Sequence, residues 1–376
     1  MAAMDALYLA AGLLLVVLVL WDLFESIVVP RPAPGWFRIG RYVIRFSWRA
    51  TRALGRRPDG RTRDTMLGLF APAVTAVLLM VWLAVLVLGY GLILFGLRGQ
   101  LSPIPADLGT TLYLAATTVL TLGGDIAATG PAARIVMVLA AASGLGVVAL
   151  VVTFLFSLYG SYQRREIQVV TLQAAAGAPP SPVALLETYA RLNLASRLPQ
   201  LFADWERWAA EVLDTHVAYP LLGYFRSSHD NLSWISSLGT VLDAASLVLT
   251  TIDGLPGGEA ELFRRVGSHL VEDIANLGYR AGPGAAGAMG DAAKGAGEGE
   301  AEARAGLDRA AFDAACVRLA EAGYRLVPAD LAWPAFKSVR AEYAVRLEGI
   351  ATYWATPSTS WLGAGEELRS AAHRTE

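Results

Sequence analysis

Three apolar runs, residues 6–29, 67–97 and 135–158, each exceed the roughly 20 residues that a helix needs to cross a hydrocarbon core of about 30 Å. In hydrocarbon every backbone amide and carbonyl must be bonded within the protein, so runs of this kind are expected as transmembrane helices. Composition agrees, with 55% apolar residues and a mean hydropathy of +0.44, the apolar residues crowding into the first 160 positions. The first run starts after Asp5 with no basic region before it and no small-residue cleavage site after it, which reads as a retained helix rather than a signal peptide. A net charge of −2 gives no field that would gather nucleic acid or an acidic substrate. The single cysteine, Cys316, excludes an internal disulfide framework and any multi-cysteine metal site, and it fits a reducing compartment for the C-terminal half.

Charge between the runs sets the expected orientation. Residues 30–65 carry ten arginines against Asp59 and Asp64, a bias that the positive-inside rule places in the cytoplasm, leaving the N-terminus outside. Within this linker Arg38, Arg41, Arg45, Arg49, Arg52 and Arg56 recur every three or four residues and share one helical face. Ile39, Val43, Phe46, Ala50 and Leu54 fall on another, so an amphipathic helix is expected in the inner interface with its arginines near anionic lipid headgroups. A solvated basic connector is the plainer reading of the same residues. Asp22 and Glu25, at i, i+3 near the cytoplasmic end of the first run, are expected in an ion pair. Pro72 is expected in the first turn of the second span. The third run is followed by Arg164 and Arg165, on the side that the rule requires.

Between the second and third runs lies Thr117-Thr118-Val119-Leu120-Thr121-Leu122-Gly123-Gly124-Asp125, preceded by an apolar segment at 112–116 too short to cross. Polar residues and paired glycines at membrane depth survive only where they are buried in protein or line a water-filled path. A half-helix that ends in open carbonyls suits a cation. A tight Gly-Gly turn between two core helices is the competing account.

This stretch resembles the pore of the potassium-channel superfamily, in which a pore helix leads into T-T-x-x-T-V-G-Y-G-D and carbonyls replace the water shell of the ion. Here Thr117, Thr118 and Thr121 match, leucine stands for valine at 122, and no residue occupies the tyrosine position before Gly124 and Asp125. Trp21-Asp22-Leu23-Phe24-Glu25, Val29-Pro30-Arg31 and Asp204-Trp205-Glu206-Arg207-Trp208 are similar to bacterial ion-channel-like proteins with an extra N-terminal helix and a helical tail. The resemblance implies an all-α membrane protein with a pore-loop fold, assembled as a homotetramer because one strand cannot surround an ion. It implies Thr121, Leu122, Gly123, Gly124 and Asp125 as the ion pathway and Thr117 and Thr118 as pore-helix support. Gly144 and Gly146, in a small-residue stretch of the third run, become gating-hinge candidates, against simple packing on the second span. One residue fewer removes one ring of carbonyls. Either residues 121–123 still coordinate, or the pore is weakly selective or closed. Gly144, Gly146 and Ala149 also fit a G-x-G-x-x-A dinucleotide motif, but no strand precedes them and an apolar span offers no phosphate pocket.

Beyond residue 160, helical periodicity dominates at 183–198, 201–219, 232–252, 260–279, 307–324 and 336–354, which predicts a cytoplasmic helical bundle. Residues 281–305, rich in Gly, Ala, Glu and Asp, are expected as a flexible loop. Asp214, His216, His229 and Asp230 bring carboxylates and imidazoles together, but their spacing favours a hydrogen-bonded helix end over a metal site. Trp205, Trp208, Tyr219, Tyr224, Phe225 and Trp234 read as core. No Ser-His-Asp, paired-carboxylate or phosphate-loop arrangement stands out, so no enzyme is expected. The expected division is a membrane helix at 1–29, a basic linker at 30–65, a pore domain at 66–160 and a helical domain at 161–376. The expected function is a cation channel of the inner membrane, with K+ or Na+ in the pore, no other cofactor, and an unknown ligand or protein at the helical domain. The alternative is a non-conducting sensor or scaffold that acts through that domain.

Overall fold

The computed structural model describes residues 2–29, 39–54, 60–227, 232–280, 309–354 and 356. The expected loop at 281–305, and His229 and Asp230, lie outside them. The chain divides into two compact units, Met1–Gly160 and Ser161–Glu376.

The first unit is built from α1 (Ala2–Leu23), α2 (Ile39–Leu54), α3 (Gly60–Gly96), α4 (Leu108–Val119) and the greater part of α5 (Pro131–Ala176). Segments Ala3–Ile27, Thr65–Gly96 and Pro131–Ala176 are long and apolar enough to cross a membrane, as a membrane protein requires. Helix α1 packs along α3, where Val16, Val19 and Leu23 share a core with Leu78, Trp82 and Leu86. It ends in a π-helical turn, Phe24–Val28, in which the Val29 amide reaches back five residues to the Phe24 carbonyl. Just before that turn the buried Asp22 accepts hydrogen bonds from the Trp82 indole at 2.8 Å and the Gly40 amide at 3.3 Å. One carboxylate of α1 thus binds α3 and the start of α2. Glu25 is buried close by in the sequence.

One expectation about the spans needs correction. Helix α3 starts at Gly60, so Pro72 stands in its interior rather than its first turn. Proline has no N–H, and the carbonyl four residues back loses its helical donor there. The helix that carries the third apolar run extends well past that run: α5 continues without a break to Ala176, and its last residues, Val169, Leu172 and Ala176, belong to the core of the second unit.

The second unit continues with α6 (Pro182–Arg191), α7 (Leu198–Ala218), α8 (Trp234–Thr250), α9 (Gly258–Arg280), α10 (Arg309–Glu321), α11 (Ala329–Ala341) and α12 (Ala344–Tyr353). Helix α8 is apolar round most of its circumference, and every residue from Trp234 to Val248 is buried, with α6, α9, α11 and α12 against it. The helix expected at 183–198 stops at Arg191. Asn193 takes a left-handed φ of 57°, and the Leu194 amide bonds back to the Tyr189 carbonyl, a glycine-like helix stop served by asparagine. The helix expected at 336–354 is two helices parted at residues 342–343. There Tyr343 turns inward and donates to the Asp243 carboxylate at 2.6 Å.

That contact belongs to a buried polar group in the middle of α8. Asp243 accepts from Arg340 at 2.8 Å as well as from Tyr343, and all three side chains are almost fully buried. Burial, reinforced by the Asp243 charge, pushes the Tyr343 phenol well above its ordinary value, so it remains a donor. A second group surrounds Arg165, which is buried rather than displayed as a surface charge. It pairs with Glu166, donates to the carbonyls of Leu222 and Phe225, and lies over the rings of Tyr162 and Trp234. Arg164 pairs instead with Glu211. His216 joins the Arg165 group as a neutral imidazole: Nδ1–H donates to the Val212 carbonyl at 2.8 Å and Nε2 faces the Arg165 guanidinium at 3.3 Å. Its two ring nitrogens are thereby occupied without a metal. Cys316 is buried, and burial raises its thiol above the ordinary value.

Arg340→Met leaves the Asp243 charge without its cation, and the second unit is expected to lose about 3–5 kcal/mol. Denaturant-dependent hydrogen exchange of the α8 amides in the full chain measures this. Burial, with the Arg165 cation second, depresses the His216 imidazole to about 3. The unfolded imidazole, near pKa 6.5, takes a proton that the folded one refuses, so stability falls as pH drops below that value. Acidification from pH 7 to pH 5 should cost about 2 kcal/mol through this residue, and His216→Gln should remove that part of the slope in the same exchange measurement.

Candidate functional site

Helix α4 has twelve residues and rises about 18 Å, short of a bilayer crossing. Its start is fixed by Asp107, which accepts from the Thr110 amide at 2.8 Å and the Thr110 hydroxyl at 3.0 Å. Those bonds, the amide first, hold the Asp107 carboxyl below the usual carboxylate range. Leu114, Ala115 and Val119 are buried together with Thr111 and Thr117. The other three threonine hydroxyls are satisfied inside the helix: Thr111 donates to the Leu108 carbonyl, and Thr117 and Thr118 both donate to that of Leu114. Polar groups can thus be buried without an outside partner.

The helix is held in its first half and at its C-terminal end by close approaches of the spans. A Cβ added to Gly91 of α3 would lie 3.2 Å from the Leu112 Cα, and one added to Gly144 of α5 would lie 1.9 Å from the Val119 carbonyl oxygen. Only glycine admits backbone at that second distance. One residue before Gly144, Ser143 gives its hydroxyl proton to the Leu139 carbonyl and accepts from Tyr90 of α3 at 2.7 Å.

After Val119 the chain leaves the helix. The amides of Leu120, Thr121 and Leu122 still bond back, to Ala116, Thr118 and Thr117. Thr121 has φ 56°, which a β-branched side chain resists at a cost of about 1–3 kcal/mol. Gly123 follows at φ 80°. The carbonyls of residues 120–125 accept no backbone hydrogen bond among the described residues, and all six residues are exposed in the single chain. Open carbonyls at the C-terminal end of a helix carry partial negative charge, which favours a cation. Ile126 is buried and returns the chain to the core.

The two sides of this segment are clasped. Strand β1 (Leu101–Ser102) pairs antiparallel with β2 (Ala127–Ala128), Leu101 opposite Ala128. Next to it the Gln100 side-chain oxygen accepts from the amides of Ala132 and Ala133, capping α5, while its backbone carbonyl accepts from Thr129. Sequence reasoning missed Gln100, Tyr90, Gly91 and Ser143. Asp107 had a readable signal, an aspartate three residues before a threonine at a helix start.

The remaining expected residues lie elsewhere. Gly146 is in the uninterrupted part of α5, with open space where a Cβ would be. Arg41, Arg45, Arg49 and Arg52 fall within α2, Arg45 half-buried and Arg49 exposed, while Arg38 and Arg56 lie outside the described residues. The buried anchor of α2 is Trp48, edge-on to Phe70 at 4.9 Å between ring centroids, whereas Phe46 is exposed.

A side chain at Gly123 must adopt a backbone that L-residues resist. Gly123→Ala should therefore destabilise the segment by about 1 kcal/mol, read as faster hydrogen exchange at residues 120–124 with α8 unchanged. Compared with protein-family models, with curated proteins and with solved structures, the chain matches none.

Proposed function

We propose that the chain is one subunit of a cation channel related to the potassium-channel superfamily. The observation that carries this reading is the strained segment at 120–125, whose carbonyls are open at the end of the half-length helix α4. A segment of this kind cannot face lipid. Copies of the chain arranged about an axis would give its carbonyls a shared aqueous path, and a tetramer supplies four strands. Thr121, Leu122 and Gly123 then coordinate K+ or Na+, and Gly124 and Asp125 shape the mouth. With one residue fewer than T-V-G-Y-G-D, the filter has fewer dehydrated sites, which predicts weak discrimination between the two ions. The N-terminus lies outside, the helical unit lies in the cytoplasm, and the α2 arginines meet anionic lipid. Gly146, with room around it, fits a bend in α5.

The missing filter residue also favours a second reading, a non-conducting sensor or scaffold that acts through its helical unit. Flux in liposomes separates the two. The purified chain should carry K+ and Na+ above a protein-free control with little preference, and a tyrosine inserted between Gly123 and Gly124 should raise K+ over Na+. Silence of both proteins across potential, pH and lipid composition would leave the scaffold.

A further inference from the structure

Given the channel reading, on which it rests, we propose that Gly144 is a positioning residue for the filter, the seat on α5 against which the end of α4 is registered. The Val119 carbonyl sits where a Cβ at 144 would be, at 1.9 Å, with the Val119 carbonyl carbon at 2.7 Å and its Cγ1 at 2.9 Å. Those atoms belong to backbone and a stiff β-branched side chain, so they cannot swing aside. Val119 is the last helical residue, and two positions later Thr121 is held at its positive φ. A shift of Val119 reaches the filter directly, because Leu120 and Leu122 are tied to Ala116 and Thr117 across the same helix end.

A second observation fixes the rotation of α5. The Tyr90–Ser143 hydrogen bond pins the residue next to Gly144 to α3, and Tyr90 is itself buried. Gly91, the neighbour of Tyr90, meets Leu112 at the other part of α4. Two adjacent pairs, 90–91 on α3 and 143–144 on α5, thus hold each other and the short helix between them. Through Gly144 itself α5 is regular helix, which is the geometry of a seat rather than of a bend.

The test compares Gly144→Ala with Gly68→Ala in α3, whose added methyl meets open space, in the full-length protein in liposomes. Gly144→Ala should alter the K+/Na+ flux ratio and speed hydrogen exchange at the amides of Leu120, Thr121 and Leu122 about tenfold, with the helical unit unchanged. Gly68→Ala should leave both at the wild-type level. Equal behaviour of the two variants, or an effect confined to Gly68→Ala, overturns the proposal. Should Gly144→Ala fail to fold, Tyr90→Phe removes the pinning bond at nearly constant volume and should speed exchange at the same three amides. Unchanged exchange there counts against the seat. A wild-type protein that passes no ions refutes the channel reading alone, since the exchange arm still decides whether Gly144 positions this segment.

Discussion

A carbonyl left without a hydrogen bond costs several kcal/mol in hydrocarbon, and the first unit holds a run, residues 120–125, whose carbonyls accept no backbone hydrogen bond among the described residues. Helix α4 brings residues 120–125 to their place but is too short to cover them with its own turns. Polar groups beside it are satisfied: the hydroxyls of Thr111, Thr117 and Thr118 bond within the helix, Asp107 closes its first turn, and Gln100 closes the first turn of α5. The carbonyls at 120–125, with no backbone hydrogen bond among the described residues, stand out beside these satisfied groups. That contrast, more than the presence of glycine, distinguishes the segment from an ordinary turn.

The helical unit meets the same desolvation cost with charge pairs. Arg165 and Asp243 are both buried, and each has an opposite charge and a further hydrogen bond, with the rings of Tyr162 and Trp234 also against Arg165. Replacing such groups by apolar ones of similar shape is often neutral for stability, so their presence is better explained by specificity of packing than by added strength. The break between α11 and α12 illustrates this. Tyr343 abandons the helical course to reach Asp243, one hundred residues away in the chain.

The spans were legible because length and hydropathy alone decide whether a helix can cross a bilayer, and both are local properties of the chain. The stretch at 117–125 drew notice for a related reason: threonines and paired glycines between apolar runs have few uses in a membrane protein. What escaped sequence reasoning depended on partners far away in the chain. Nothing near Gly91 or Ser143 indicates that Leu112 and Tyr90 will meet them. The start of α3 at Gly60 put Pro72 in a helix interior, where a local rule reads proline as an early-turn residue. Asn193 is a different failure, since asparagine tolerates the left-handed conformation and the stop it serves could have been read.

The pairing of Leu101 with Ala128 turns residues 101–128 into a closed loop. Closing a loop removes configurational freedom once, and the loss grows only slowly with length. The two-residue strands and the Gln100 cap meet that loss at the rim, away from the strained backbone. Inside such a ring, changes of sequence at 121–125 alter local geometry without freeing the ends. Lineages of such a chain would then be able to vary the composition of the loop, including its length by one residue, while its frame persists.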